Sequence, residues 1–259
     1  MNNNHALHSS EAQKSGMKSQ TLHFTPVILA GGKGTRLKEV IQDYPKVLAK
    51  VNGKPFITYL FDILIDFGFP KVVVCTGFRG DVISDFFSDG YRNLQVILSH
   101  ESAPLGTGGA VRKSVSEVDT ENILLFNGDS FVHFDLYEYV AWYEKMNLKL
   151  SLLLTELSEV SRYGSVEMSG NGNVTSFTEK GTKKGGGFIN AGVYLIKKNL
   201  LNIVPAEKEY SLERDFLPQF VGNGLFGFPC IGPFIDIGTP ESLAAAESFF
   251  NSHHRKISD

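Results

Sequence analysis

Leu29, Ala30, Gly31, Gly32, Lys33, Gly34, Thr35, Arg36 and Leu37 run consecutively, and Lys46 follows Pro45 a little further on. Glycines in such a run let the backbone come close to a ligand and turn its N–H groups toward phosphate oxygens. Arg36 offers a planar fork for those oxygens, while Lys33 and Lys46 act as point charges. A triphosphate needs this mixture. Two other phosphate motifs do not fit. The dinucleotide fingerprint requires a third glycine where Leu37 stands. The P-loop requires Gly-Lys followed by Ser or Thr, whereas here Lys33 precedes Gly34 and Thr35. On these residues alone a plain glycine turn with solvated basic side chains stays open.

Two aspartates suggest a cation. Asp129 follows the apolar run 122–126 (NILLF), so its carboxylate should emerge at the carboxyl end of a buried strand, where α/β sheets bind ligands. Asp236 sits among Phe234, Ile235 and Ile237, and an ionised carboxylate in such company needs a cation or donor facing it. Mg²⁺ typically takes one or two carboxylates plus substrate phosphates. Spacing alone does not bring the two aspartates together, and Asp236 could instead cap a helix starting at Pro240. The adjacent Glu179 and Lys180 could take hydroxyls and neutralise a phosphate, or simply form a solvated pair.

The elements that must position these groups follow from apolar spacing. Strands are expected over 24–30, 71–76, 94–98 and 122–126, with helices over 57–67, 81–87 and 135–146, the last capped by Asp135. A further helix starts after the glycine-rich run 105–109. Most of the strands are continuous apolar runs alternating with helices, which predicts an α/β, Rossmann-like, mainly parallel sheet flanked by helices. From residue 148 the pattern changes to strands over 150–154, 164–168, 174–177 and 187–196 joined by turn residues, a smaller antiparallel or mixed extension of that sheet. A helix over 211–220, a strand reaching 235 and a helix over 240–250 close the chain.

With these motifs in place, the chain resembles the sugar-1-phosphate nucleotidylyltransferases from residue 24 to about 250. The glycine-arginine loop and Pro45-Lys46 are joined by further landmarks in order: 105–109 (LGTGG), Gly128-Asp129, Tyr163-Gly164, Glu179-Lys180, 189–192 (INAG) and 234–240 (FIDIGTP). The resemblance implies a GT-A-type fold, with a nucleotide half over 23–147 and a sugar half over 148–251 of one domain. It implies that Leu29, Ala30, Gly31, Gly32, Gly34, Thr35, Arg36, Lys46, Gly106, Thr107 and Gly128 meet the nucleotide. Gly164, Glu179, Lys180, Asn190 and Gly192 would meet the sugar phosphate, and Asp129 and Asp236 would hold Mg²⁺. Arg36, Lys46, Asp129, Lys180 and Asp236 are the expected catalytic set. The implied reaction condenses a sugar 1-phosphate with an NTP, releasing pyrophosphate. The look is that of the short guanylyltransferases for manno-heptose or mannose 1-phosphate, with uridylyl transfer to a glucose- or muramic-type sugar phosphate as the alternative. Residues 211–215 (SLERD) resemble a segment near the sugar, but capping by Ser211 explains part of them and they are left out of the site. A GT-A glycosyltransferase would want a D-x-D metal motif where Gly128-Asp129-Ser130 stands, and an inactive regulatory relative should have lost loop or metal residues.

Bulk properties narrow the partners. Lys plus Arg number 25 against 28 Asp plus Glu, giving a net charge of −3 and no reason to expect nucleic acid or an anionic membrane. Cys75 and Cys230 lie in apolar runs without metal spacing, which fits reduced thiols and a cytoplasmic protein. Homo-oligomerisation stays open. Residues 1–22 are polar, without the apolar middle of a secretory signal, and read as a disordered extension; 252–259 read as a polar tail. Deleting residues 2–16 should therefore leave turnover and melting temperature unchanged. A fall in either would show that the segment docks on the domain.

Overall fold

The computed structural model describes residues 23–32, 34, 37, 44–178 and 184–253; the expected extension over 1–22 lies outside them. In the first half, β1 (Phe24–Leu29) leads through a small hairpin of β2 (Lys50–Val51) and β3 (Lys54–Pro55) to α1 (Ile57–Asp66) and β4 (Lys71–Thr76). Then come α2 (Gly80–Phe86), β5 (Gln95–His100), α3 (Gly106–Ser114), β6 (Asn122–Asn127), β7 (Ser130–Val132) and α4 (Leu136–Lys145). Asp135 caps α4 as its sequence predicts, its side chain accepting from Glu138 N at 3.0 Å. The second half supplies β8 (Leu150–Leu157), β9 (Ser165–Met168), β10 (Val174–Phe177), β11 (Gly187–Lys197), β12 (Leu225–Cys230), β13 (Phe234–Asp236) and α5 (Pro240–His253).

One sheet runs through both halves in the order β10-β9-β11-β6-β1-β4-β5, with β8 added on β11 and β12 on β8. The strands β6, β1, β4 and β5 are all parallel. Successive residues of each strand face opposite sides, so both faces must be apolar if both are covered. Ile28, Val74, Leu124 and Phe126 pack toward α1 and α4 on one face, and Val27, Val73, Ile123 and Leu125 pack toward α3 on the other. This two-sided burial is why the strands read as unbroken apolar runs.

β11 joins the two halves. Its last residues pair antiparallel with β6, its first with β9, and its other edge with β8. The register against β8 shifts between Asn190 and Tyr194, where Gly192 takes φ +79°. β12 lies parallel to β8, so the extension is mixed.

Three expectations are corrected. The helix over 211–220 is a π turn (Leu212–Phe216) followed by a 3₁₀ turn (Leu217–Phe220). Pro218 has no N–H to continue an α-helical ladder, and Asp215 N and Phe216 N both donate to Ser211 O, at 3.0 and 3.1 Å. The strand expected to reach 235 is two strands, β12 and β13, separated at Ile231, Gly232 and Pro233. The closing helix runs on to His253, taking in the first residues of the expected tail.

The ends of β1 and β6 are fastened to each other by Gly128, whose N–H donates to Leu29 O at 3.0 Å. A Cβ on Gly128 would lie 2.4 Å from that carbonyl oxygen and 3.1 Å from Val47 Cγ1. Gly128→Ala should therefore part the two strand ends and destabilise the fold by about 1–3 kcal/mol. At roughly 2–4 °C per kcal/mol for a chain of this size, the loss is readable in a thermal melt. An unchanged melting temperature would show that the strand ends have room to spare.

Candidate functional site

The parallel strands all end on one side, and the chain crosses from β5 past β1 to β6. A crevice must open where the order reverses, outside the carboxyl ends of the strands. The structure has a cleft of ≈ 1200 Å³ there, reached by Leu29 to Gly32 after β1, Gly77 after β4, Glu101 after β5, and Asn127 to Asp129 after β6. Its opposite side is built by the second half, including Arg162, Tyr163, Gly164, Asn190, Glu213 and Asp236.

Asp129 and Asp236, distant in sequence, are brought together by the short β7–β13 pairing. Asp236 stands opposite Ser130, and Ile237 N donates to Asp129 O at 2.9 Å. Neither carboxylate stands alone. Lys46 Nζ donates to Asp129 Oδ2 at 2.6 Å, with the lysine side chain only 11% exposed. Asp236 Oδ1 accepts from Gly238 N at 2.7 Å, and its Oδ2 accepts from the Tyr163 hydroxyl, with Arg162 3.6 Å away. Burial, and then the Asp236 carboxylate, hold the Tyr163 phenol well above its usual pKa. Asp236 does not cap α5: Ser242 N donates to Thr239 Oγ1 at 3.3 Å, so Thr239 takes that place.

Among the described residues no group of three or more His, Cys, Asp or Glu side chains comes together to hold a metal. A two-carboxylate set is what Mg²⁺ uses when substrate phosphates complete its shell, so Asp129 and Asp236 fit that ion by donor type and number.

Of the residues expected at the site, Leu29, Ala30, Gly31, Gly32, Lys46, Gly106, Thr107, Gly128, Asp129, Gly164, Asn190 and Asp236 line the cleft. Thr35, Arg36, Glu179 and Lys180 lie outside the described residues. Gly34 is described, at φ +57°, and is not among the residues that line the cleft. Gly192 sits behind the wall: a Cβ there would meet Ser130 Oγ at 2.6 Å and Asn127 Cβ at 2.9 Å. Its N–H donates to Asn190 Oδ1 at 3.0 Å, and Asn190 Nδ2 donates to the buried Tyr194 hydroxyl at 2.7 Å. The 105–109 run does two jobs. Gly106 and Thr107 face the cleft, while Gly108 and Gly109 are buried and both donate their N–H groups to Tyr210 O.

Several cleft residues lie outside the expected site set, three of them in 211–215, whose resemblance to a segment near the sugar the capping by Ser211 masks. Ser211, Glu213 and Arg214 line the cleft even though Ser211 also caps its turn, accepting from Arg214 N at 3.2 Å. Glu101 carries no sequence signal except its nearness to the LGTGG run. Its Oε2 accepts from Leu105 N at 2.9 Å, and burial is the largest influence on its carboxyl, raising its pKa.

No described helix is long and apolar enough to cross a membrane. The family described as nucleotidyl transferase matches residues 25–253. A D-glycero-alpha-D-manno-heptose 1-phosphate guanylyltransferase of Aneurinibacillus thermoaerophilus is 34% identical over 85% of this chain and 96% of its own length. A protein of the same description from Campylobacter jejuni is 38% identical, over 83% of this chain and 95% of its own. The crystal structure of HddC from Yersinia pseudotuberculosis complexed with GMP-PN superimposes with a TM-score of 0.79 at 35% identity, covering 88% of this chain and 99% of the other.

The raised Glu101 carboxyl gives a signed expectation for stability. A folded pKa above the unfolded value penalises folding once both states are ionised, and the penalty vanishes below the unfolded value. Glu101→Gln keeps an acceptor for Leu105 N and removes the charge. It should be at least as stable as the parent at pH 7, and the parent should gain on it as the pH falls through the carboxylate range. Denaturant melts of both proteins across that range measure the gap; a gap that widens toward low pH refutes the assignment.

Proposed function

The chain belongs to the nucleotidyl transferase family, and from that premise we propose that it joins a sugar 1-phosphate to a nucleoside triphosphate. The products are an NDP-sugar and pyrophosphate. The observation that carries this is the meeting, at one strand-end crevice beside the glycine loop, of the Lys46–Asp129 pair with Asp236. An oxygen of the sugar phosphate forms a bond to the α-phosphorus of the NTP. The bridging bond to the β-phosphate breaks, and pyrophosphate leaves with the electron pair. The attacking group is already an anion and needs no strong general base, so the protein's part is positioning and neutralising charge.

Lys46 is held by Asp129 before any substrate arrives, so its charge waits at a fixed place. Lys46 and Lys180 hold the two anions together, and Arg36 serves the α-phosphate and the departing pyrophosphate. The family generally uses a divalent cation; Mg²⁺ on Asp129 and Asp236 would neutralise phosphate oxygens as negative charge moves to the leaving group. On the nucleotide side we place Leu29, Ala30, Gly31, Gly32, Gly34, Thr35, Gly106, Thr107 and Gly128. On the sugar side we place Gly164, Glu179, Lys180 and Asn190, with Gly192 bracing Asn190 from behind.

Likeness to the guanylyltransferases of manno-heptose 1-phosphate supports GTP and a manno-configured sugar 1-phosphate as the substrates. The free thiols Cys75 and Cys230 suit a reducing compartment, for which we propose the cytoplasm.

The deciding experiment measures pyrophosphate release with Mg²⁺, crossing GTP, UTP, dTTP, CTP and ATP with a panel of sugar 1-phosphates. Release should require both substrates and be fastest with GTP and a manno sugar. Hydrolysis of NTP without sugar phosphate would sink the activity; a highest kcat/KM with UTP and glucose 1-phosphate would sink only the specificity.

A further inference from the structure

A donor can fix a carboxylate in two ways. A cationic donor cancels its charge, whereas a neutral donor aims it and leaves the charge to attract something else. The two aspartates that meet in the cleft divide along this line. Asp129 Oδ2 is held by the Lys46 ammonium at 2.6 Å. Asp236 is held by two neutral donors, Gly238 N on Oδ1 at 2.7 Å and the Tyr163 hydroxyl on Oδ2. Arg162 comes within 3.6 Å of the same Oδ2, with its side chain 53% exposed and its guanidinium 5.7 Å from the centre of the Tyr163 ring. At that distance and exposure it is a solvent-screened neighbour, and the hydroxyl is the bonded partner.

Tyr163 is placed from both sides of the cleft. Phe234 and Asp236 are alternate residues of β13 and so share one face of it. The half-buried Tyr163 ring stands edge-on to Phe234, with centroids 5.6 Å apart at 82°, and its hydroxyl reaches on to Asp236. The backbone beneath it belongs to the connection from β8 to β9. There Tyr163 N donates to Val160 O at 2.8 Å, and Val160 N donates to Gly185 O at 3.0 Å. Gly164, next in the chain, packs so closely that a Cβ would lie 2.6 Å from Thr178 O. A phenol braced at both ends has a fixed direction, unlike a free surface hydroxyl.

The bond leaves Asp236 with capacity. An ionised carboxylate offers about four lone-pair sites, two on each oxygen. Gly238 N takes one on Oδ1 and Tyr163 takes one on Oδ2, so each oxygen can still bind a hard cation of the kind expected here. The phenol has a single proton to give and no positive charge with which to compete for the site.

We propose that Tyr163 is a positioning residue of the cation site, its hydroxyl aiming the Asp236 carboxylate toward Mg²⁺ without neutralising it. This rests on the metal-assisted reaction proposed above. It gives the tyrosine side chain a task separate from any contact that Gly164 makes with the sugar.

The test compares the full chain with Tyr163→Phe, which removes only the hydroxyl and keeps the ring on Phe234. GTP is titrated calorimetrically into each protein without sugar phosphate, in EDTA and over a series of Mg²⁺ concentrations. The Mg²⁺ concentration that gives half of the tightening should rise about ten- to hundredfold in the variant, the usual loss when a metal ligand is deprived of its hydrogen-bond partner. The Kd for GTP in EDTA should not change. Pyrophosphate release should show the same displacement in Mg²⁺ dependence, with most of kcat restored at saturating Mg²⁺ and the KM for sugar phosphate unaltered. Tyr163→Met, which also keeps apolar bulk against Phe234, carries the comparison if the phenylalanine variant melts. An unchanged or lowered Mg²⁺ midpoint overturns the assignment, as does a rise in the sugar-phosphate KM at an unchanged midpoint. A parent whose GTP binding is indifferent to Mg²⁺, or that releases no pyrophosphate with any substrate pair, fails the underlying reading instead, an outcome seen without any variant.

Discussion

β11 is the member on which the rest of the molecule depends. One edge pairs first with β9 and then with β6, while β8 runs along the other, so a single strand belongs to both halves of the chain at once. Such a strand cannot stay straight. The shift in register falls at Asn190 to Tyr194, where Gly192 takes a left-handed conformation that a side chain would strain, against Ser130 and Asn127. The bend turns Asn190 into the cleft while Tyr194, still in the sheet, is buried below it and holds its amide. The cleft exists because the sheet continues through it.

The second constraint is electrostatic. In the proposed reaction two anions meet beside a cation, which a uniformly positive wall would not serve, and an unpaired carboxylate there would repel both substrates. The described wall fixes four of its carboxylates with local donors: Lys46 for Asp129, Tyr163 and Gly238 for Asp236, Leu105 for Glu101, Thr107 and Ser211 for Glu213. Groups held this way need little rearrangement when substrate arrives, which is where a reaction without a strong base gains its rate. A net charge of −3 for the whole chain is compatible with this, since the pairing is arranged within the cleft.

Much of this was legible beforehand because period and punctuation are local. The apolar runs of β1, β4 and β6 reported burial on both faces, and Asp135 announced the start of α4. The residue types of the glycine-arginine loop pointed to phosphate, and its described residues 29–32 line the cleft. What could not be read is what depends on long-range pairing. Nothing in the spacing of Asp129 and Asp236 shows that β7 and β13 lie side by side. Ser211 gave a true capping signal, and that signal hid the cleft-facing Glu213 two residues on, since a turn can be capped and functional together. Gly192 carried the right motif but supports the cleft from behind it, a distinction that only the packing against Ser130 and Asn127 reveals.

The placement of β11 also bears on how the chain is made. On a ribosome β6 emerges with β1 already available on one edge, but the antiparallel partner for its other edge has yet to be synthesised. Until β11 arrives, the apolar strand Asn122–Asn127 presents open backbone groups at a sheet edge, the kind of surface that recruits the wrong strand. β8 waits longer still for β12. If the strands before β11 fold as they emerge, this edge is unsealed until β11 arrives, and shielding by a chaperone would matter in that interval.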